Sequence, residues 1–225
     1  MPTAVITGAS KGIGRATALR LAREYDIVAL ARSEDALRSL GAEIAERGGR
    51  CTAIDVDLRD PAAIAAALDG IQADVLVNNA GVMHRKPFID LTPGEWREMM
   101  DVNVDAIYHV TRALLPGMIA RGAGHVINIS SIAGRNSFVG GSGYAATKHA
   151  VQALSEALML EVREYGVKVS VVMPGSVATE LTPGGSRKGW ALRPDDVAET
   201  VAQILSMPKH ALTFIVEVRA AQPGK

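Results

Sequence analysis

Seven short runs rich in Val and Ile, separated by helix-periodic stretches, constrain the fold more than any other feature of this chain. They are AVIT (4–7), DIVALA (26–31), CTAID (51–55), DVLVN (74–78), HVINIS (125–130), VKVSVVM (167–173) and TFIVEV (213–218). Each is nearly continuous in apolar residues rather than alternating, as expected of a strand covered by helices on both faces. The stretches between them, about 13–24, 33–47, 61–69, 95–121, 144–165 and 194–206, predict six helices. Strands alternating with helices predict an α/β fold with a doubly wound, parallel, seven-stranded sheet and right-handed crossovers. No linker or shift in composition divides the 225 residues, and 48% are hydrophobic, so one domain with a sizeable core is expected. The loosest stretch, TPGGSRKG (182–189), reads as a substrate loop over about 180–193.

Charge and cysteine usage exclude several roles. Lys plus Arg is 24 and Asp plus Glu is 24, with seven Lys and seventeen Arg spread along the chain without a basic block. Nothing there favours nucleic acid or an acidic membrane surface. The single Cys51 allows no intrachain disulfide, and no Cys/His cluster suits a metal, so none is expected. A strand-like run begins almost at once, which leaves no room for a signal peptide, and no apolar run approaches the ~20 residues of a membrane helix. The expectation is a soluble cytoplasmic protein.

Between the first strand and first helix lies TGASKGIG (7–14). Gly8 suits a turn with positive φ, Gly12 admits close approach of a phosphate, and Gly14 lets the helix pack tightly on the sheet. The helix start presents free N–H groups and a favourable dipole to an anion. The spacing G-x-x-x-G-x-G departs from the G-x-G-x-x-G dinucleotide fingerprint, but its place between strand and helix is the one a dinucleotide needs. At the end of the second strand, where an acid would hold the ribose of NAD, stand Ala31 and then Arg32. With Lys11 in the Gly-rich turn, two cations and no acid favour NADP(H) over NAD(H).

The motifs in order, TGASKGIG (7–14), DL (57–58), NNAG (78–81), the Asn of DVNVDA (103), ISS (129–131), YAATK (144–148) and PGSVAT (174–179), resemble the short-chain dehydrogenase/reductase family over nearly the whole chain. The resemblance implies a single-domain, Rossmann-like fold and a nicotinamide cofactor. It implies catalytic roles for Ser131, Tyr144, Lys148 and Asn103. Ser131, thirteen residues before Tyr144, matches the family serine better than Ser130. For the cofactor it implies the Gly-rich turn (Gly8, Ser10, Lys11, Gly12, Ile13, Gly14), and Arg32 as above. It also implies Asp57 and Leu58 beside the adenine, and Asn79, Ala80 and Gly81 after the fourth strand. Tyr144 and Lys148 would touch the nicotinamide end, with Pro174, Gly175, Val177 and Thr179 in the loop that holds it.

Tyr144 and Lys148, four apart on a helix, share one face. A phenol near its usual pKa of about 10 is a poor base, and a nearby ammonium is expected to lower that value. Tyr144 then exchanges a proton with a substrate oxygen, Ser131 hydrogen-bonds the same oxygen, and Asn103 positions a water that links Lys148 to solvent. The activity so implied is NADP-dependent hydride transfer between nicotinamide and a carbonyl or alcohol. Reduction of 3-oxoacyl groups on a carrier protein is an alternative, and a non-catalytic NADP-binding sensor or scaffold is a reading of another class. Met83, His84 and Trp190 are candidates for the pocket mouth, and the five His are otherwise assigned structural or surface places. The short segment after Thr179 predicts an open pocket for varied aldehydes or ketones. The two long helices, 95–121 and 144–165, suggest a homodimer or homotetramer face. The ending IVEVRAAQPGK lacks the Asp-Gly-Gly-like close that many relatives carry.

Overall fold

The computed structural model describes residues 1–181 and 189–222. Its seven strands are β1 (Thr3–Thr7), β2 (Asp26–Ala31), β3 (Cys51–Asp55), β4 (Val75–Asn78), β5 (Gly124–Ile129), β6 (Val167–Pro174) and β7 (Ile215–Val218). They form one parallel sheet in the order β3-β2-β1-β4-β5-β6-β7. The helices are α1 (Gly12–Leu21), α2 (Glu34–Glu46), α3 (Pro61–Leu68), α4 (Pro93–Met100), α5 (Ala106–Arg121), α6 (Ser142–Val162) and α7 (Pro194–Leu205).

The sheet is two-sided because each strand feeds both faces in turn. Ala4 and Ile6 of β1, Ile27 and Ala29 of β2, and Val75 and Val77 of β4 enter one core with Leu21 of α1, Leu40 and Ile44 of α2, and Val201 of α7. Their neighbours Val5, Val28, Leu30 and Leu76 enter the other, with Ile64 of α3, Leu114 and Met118 of α5, and Val162 of α6. The period of two along a strand thus sorts a continuous apolar run into two cores.

The stretch expected as one helix over 95–121 is two helices. Thr92 caps α4 by accepting from the Glu95 N–H, with the Glu95 carboxylate returning to the Thr92 N–H, so the helix starts at Pro93. Asp101–Asp105 then widens into a π-helical turn before α5 begins. Such single turns interrupt an α-helix mostly where a function places a side chain, and this one carries Asn103.

Strand order reverses between β1 and β4, and ligands of such sheets bind beyond the carboxyl ends of the strands at that point. The residues after β1 and β4 are the Gly-rich turn and NNAG.

Candidate active site

The glycine turn is fixed by its neighbours. Gly8 and Gly12 have φ of +65° and +57°, a region that costs a side chain about 1–2 kcal/mol. A Cβ at Gly14 would lie 2.3 Å from the Gly8 carbonyl oxygen and 2.4 Å from Asn79 Nδ2, so α1 reaches the turn only through a glycine. Asn79 closes the turn: its Nδ2 donates to the carbonyls of Thr7 (3.0 Å) and Gly8 (3.2 Å). Thr7 Oγ1 accepts from the N–H groups of both Asn79 and Ala80, at 3.0 and 3.1 Å. Sequence reasoning missed Thr7; its only signal is a hydroxyl at the end of the first strand. Asn78, also in NNAG, lies deeper and donates to Thr111 and Asn128, steadying β4 against α5 and β5.

A cleft of about 1030 Å³ runs from this turn along the carboxyl edge of the sheet. It is lined by Gly8, Ser10, Lys11, Gly12, Ile13, Arg32, Asp57, Leu58, Asn79, Ala80, Gly81, Ser131, Tyr144, Lys148, Pro174, Gly175, Val177 and Thr179. The structure therefore brings together every expected site residue except Gly14 and Asn103, which lie behind the wall. Met83 and His84 line the mouth as well, whereas His149 is exposed and bonds back to the Ala145 carbonyl. Half of the expected substrate loop, residues 182–188, lies outside the described residues. Its leading residues Glu180 and Leu181 border the cleft, and Val177 bridges to Leu192 across its base.

At the far end, buried groups surround Tyr144. Lys148 donates from Nζ to the Ile129 carbonyl at 2.9 Å, and its own carbonyl accepts from Ser130 Oγ at 3.1 Å. Lys148 is thereby fixed to the end of β5, with Nζ 5.7 Å from the centre of the Tyr144 ring. Ser130 is buried and structural in this arrangement, whereas Ser131 is half-buried on the cleft wall and hydrogen-bonds Tyr144.

One expectation needs correction. Tyr144 is pushed up to about 12 by its burial, which outweighs the opposing hydrogen bond from Ser131. The same loss of solvent lowers Lys148 to about 8. Depth in the wall, which the YAATK spacing does not reveal, thus dominates over the expected effect of the ammonium. Asn103 is held in a clamp. Its Oδ1 accepts from the Val82 N–H at 2.8 Å, and its Nδ2 donates to the Val82 carbonyl at 2.9 Å and to Thr147 Oγ1 at 3.0 Å. Thr147 Oγ1 donates in turn to the Tyr144 carbonyl at 2.7 Å. Both amide hydrogens are spent on this clamp between the NNAG segment, the π turn and α6, and Oδ1 accepts one hydrogen bond.

Charge is arranged unevenly along the cleft. Lys11 pairs with Glu180 across the mouth, both well exposed. The Asp57 carboxyl is held down to about 2, chiefly by hydrogen bonds from Arg59. Arg32 forms no salt bridge with a described carboxylate, although its charge adds to the lowering of Asp57.

The same arrangement occurs in known proteins. The family model of the short chain dehydrogenases matches residues 2–188. The chain is 35% identical over 215 residues to the oxidoreductase UcpA of Escherichia coli K12, covering 93% of this chain and 82% of that one. A metagenomic short-chain oxidoreductase solved in complex with NADP is 36% identical with a TM-score of 0.88, over 99% of this chain and 98% of its own. An alcohol dehydrogenase from the archaeon Thermococcus sibiricus, complexed with 5-hydroxy-NADP, is 30% identical with a TM-score of 0.92, over 100% and 99%. With the fold, the ordered motifs and the cleft in agreement, the chain belongs to the short-chain dehydrogenase/reductase family.

Proposed function

We propose that this protein is an NADPH-dependent carbonyl reductase, reversible as an alcohol dehydrogenase, with Tyr144 as its acid and base. The observation that carries the reading is the meeting of Ser131, Tyr144 and Lys148 at one end of a cleft whose other end is the clamped glycine turn. NAD(P)-dependent oxidoreduction follows from the family; the finer assignment rests on these residues.

The cleft fits a dinucleotide. Gly12 leaves only Thr179 Cγ2 opposite its missing Cβ, at 3.3 Å, so backbone faces the groove where a pyrophosphate would approach the start of α1. Ala31 and Arg32 at the end of β2 suit a 2′-phosphate better than a bare ribose, and two of the similar structures hold NADP or a hydroxy derivative of it. Gly8, Ser10, Ile13 and Lys11 would hold the phosphates, Asp57 and Leu58 the adenine, and Asn79, Ala80 and Gly81 the middle. Pro174, Gly175, Val177 and Thr179 would hold the nicotinamide end. The bound cofactor supplies hydride.

The protein's own part is proton transfer and charge. At neutral pH Tyr144 is a neutral phenol, ready to donate to a carbonyl oxygen as negative charge builds there. Ser131 donates to the same oxygen. Lys148, still mostly an ammonium below its value of about 8, stabilises the phenolate left behind. The clamp of Asn103 and Thr147 holds the Tyr144 turn of α6 in place. No described helix is long and apolar enough to cross a membrane. A homodimer or homotetramer built on the α4–α5 and α6 faces is part of the proposal, and a sharp monomer in gel filtration would refute it.

The test is NADPH consumption with aldehydes, ketones, keto acids and acyl thioesters, run for the wild type and Tyr144→Phe. Turnover of simple carbonyls that needs Tyr144 supports the reading, and turnover of acyl thioesters alone favours carrier-linked reduction. NADPH binding without any turnover identifies a sensor.

A further inference from the structure

On the rim of the substrate end of the cleft, Arg85 stands without an acidic partner among the described residues. Arg85 lines the cleft, and its guanidinium lies over the Phe138 ring, 5.4 Å from the centre. The neighbouring charges are engaged: His84 with Glu98 (2.8 Å), Lys86 with Glu95 (2.5 Å) and Arg135 with Glu217 (3.0 Å). Arg85 forms no ion pair with any described carboxylate.

The platform beneath Arg85 is built. Lys86 N–H donates to the Gly140 carbonyl at 2.9 Å, tying the two segments together, and Gly140 turns the chain with φ of +77°. Gly141 then leaves room for the ring, since a Cβ there would lie 2.4 Å from Phe138 Cζ. Phe138 packs with Met83 and Val82 against the small cluster that contains Tyr144. A path from Tyr144 along this apolar wall therefore ends at a guanidinium.

We propose that Arg85 is a specificity-determining residue that binds a substrate carboxylate, so that the preferred substrates are short aldehydes or ketones carrying a carboxylate at the opposite end. Phe138 is the positioning residue. A planar guanidinium held over a ring presents its fork to a planar carboxylate. One such group, with the exposed Asn136 amide on the same rim, matches a monoanion better than a phosphate dianion. The inference rests on the carbonyl-reductase reading. The C–H bond forms at the carbonyl carbon, the proton passes from Tyr144 to its oxygen, NADPH becomes NADP⁺, and the product is a hydroxy acid with its carboxylate unchanged.

The experiment compares succinic and glutaric semialdehydes with their methyl esters in the wild type, Arg85→Gln, Arg85→Lys and Phe138→Leu. The readout is the ratio of kcat/KM for acid over ester. That ratio is expected to fall roughly tenfold or more in Arg85→Gln, mainly through KM, with partial retention in Arg85→Lys and a smaller fall in Phe138→Leu. An unchanged ratio in Arg85→Gln overturns the anchor while leaving carbonyl reduction standing. Wild-type inactivity on acids and esters alike counts against carbonyl reduction itself. The anchor is then decided by thermal shift of the NADPH-loaded protein with succinate. A shift lost in Arg85→Gln supports it, and one that does not depend on Arg85 overturns it.

Discussion

The two ends of the cleft are built by different means. At the glycine turn nearly every polar group is committed: Asn79 and Thr7 bond the turn to NNAG, and Gly14 sits where no side chain fits. At the mouth beyond Tyr144, the wall is Met83, Phe138 and Arg85, held by packing and one ring contact. The pyrophosphate is common to NAD and NADP, so the glycine-turn end tolerates rigid backbone geometry. A substrate end made of exchangeable side chains on a fixed frame can change specificity without disturbing the fold.

That contrast can be broken first at its tightest point. Gly14→Ala is expected to cost roughly 3 kcal/mol, because the added Cβ meets the Gly8 carbonyl and the Asn79 amide that is bonded to the turn, and to weaken NADPH binding with it. Chemical denaturation and a cofactor titration read the two effects. Asn103→Ala removes the clamp between Val82 and Thr147 and is expected to cost roughly 2 kcal/mol, since the Val82 N–H loses its acceptor and the Val82 carbonyl and Thr147 Oγ1 lose their donor. Its kcat should fall with KM for NADPH little changed, because the clamp supports Tyr144 rather than the glycine turn.

Arg32→Ala sharpens the contrast from the cofactor side. The preference for NADPH over NADPH's dephosphorylated counterpart NADH should fall roughly tenfold, the worth of a charge-assisted contact of about 1.4 kcal/mol. Equal loss of both cofactors would place the 2′-phosphate elsewhere.

The smallest effect lies away from both ends. His125, at the start of β5, bonds Ser170 and is lowered to about 4, first by burial and then by Lys168. Its folded-state value lies below the ordinary 6.5, so the unfolded chain binds the extra proton first as pH falls. Stability is therefore undiminished above about pH 6.5 and is lost progressively towards pH 4, by about 1 kcal/mol at roughly pH 5.5. His125→Gln should flatten that part of the stability profile relative to wild type, without altering the ratio of acid to ester turnover.

What the sequence showed follows the same division. The strands, the glycine turn and NNAG are local patterns: apolar runs set the sheet, and a missing Cβ is visible as Gly. The π turn at Asp101–Asp105 was not legible, because DVNVD fits a helical period and hydrogen-bond spacing leaves no mark in composition. The direction of the Tyr144 shift was misread, since Lys148 is evident from YAATK but the depth at which both lie is set by the whole fold. Arg85 went unremarked although Met83 and His84 beside it were considered; its role depends on Phe138, which only the Lys86–Gly140 bond brings under it. The pairing of Lys11 with Glu180 likewise joins residues from opposite ends of the chain.

The most direct test measures NADPH binding and single-turnover hydride transfer in the same preparations of wild type and Tyr144→Phe. The account predicts binding within about threefold of wild type and a transfer rate lower by roughly 10²–10⁴, because the ring remains and only the proton donor is lost. Transfer at a near wild-type rate in Tyr144→Phe would contradict it.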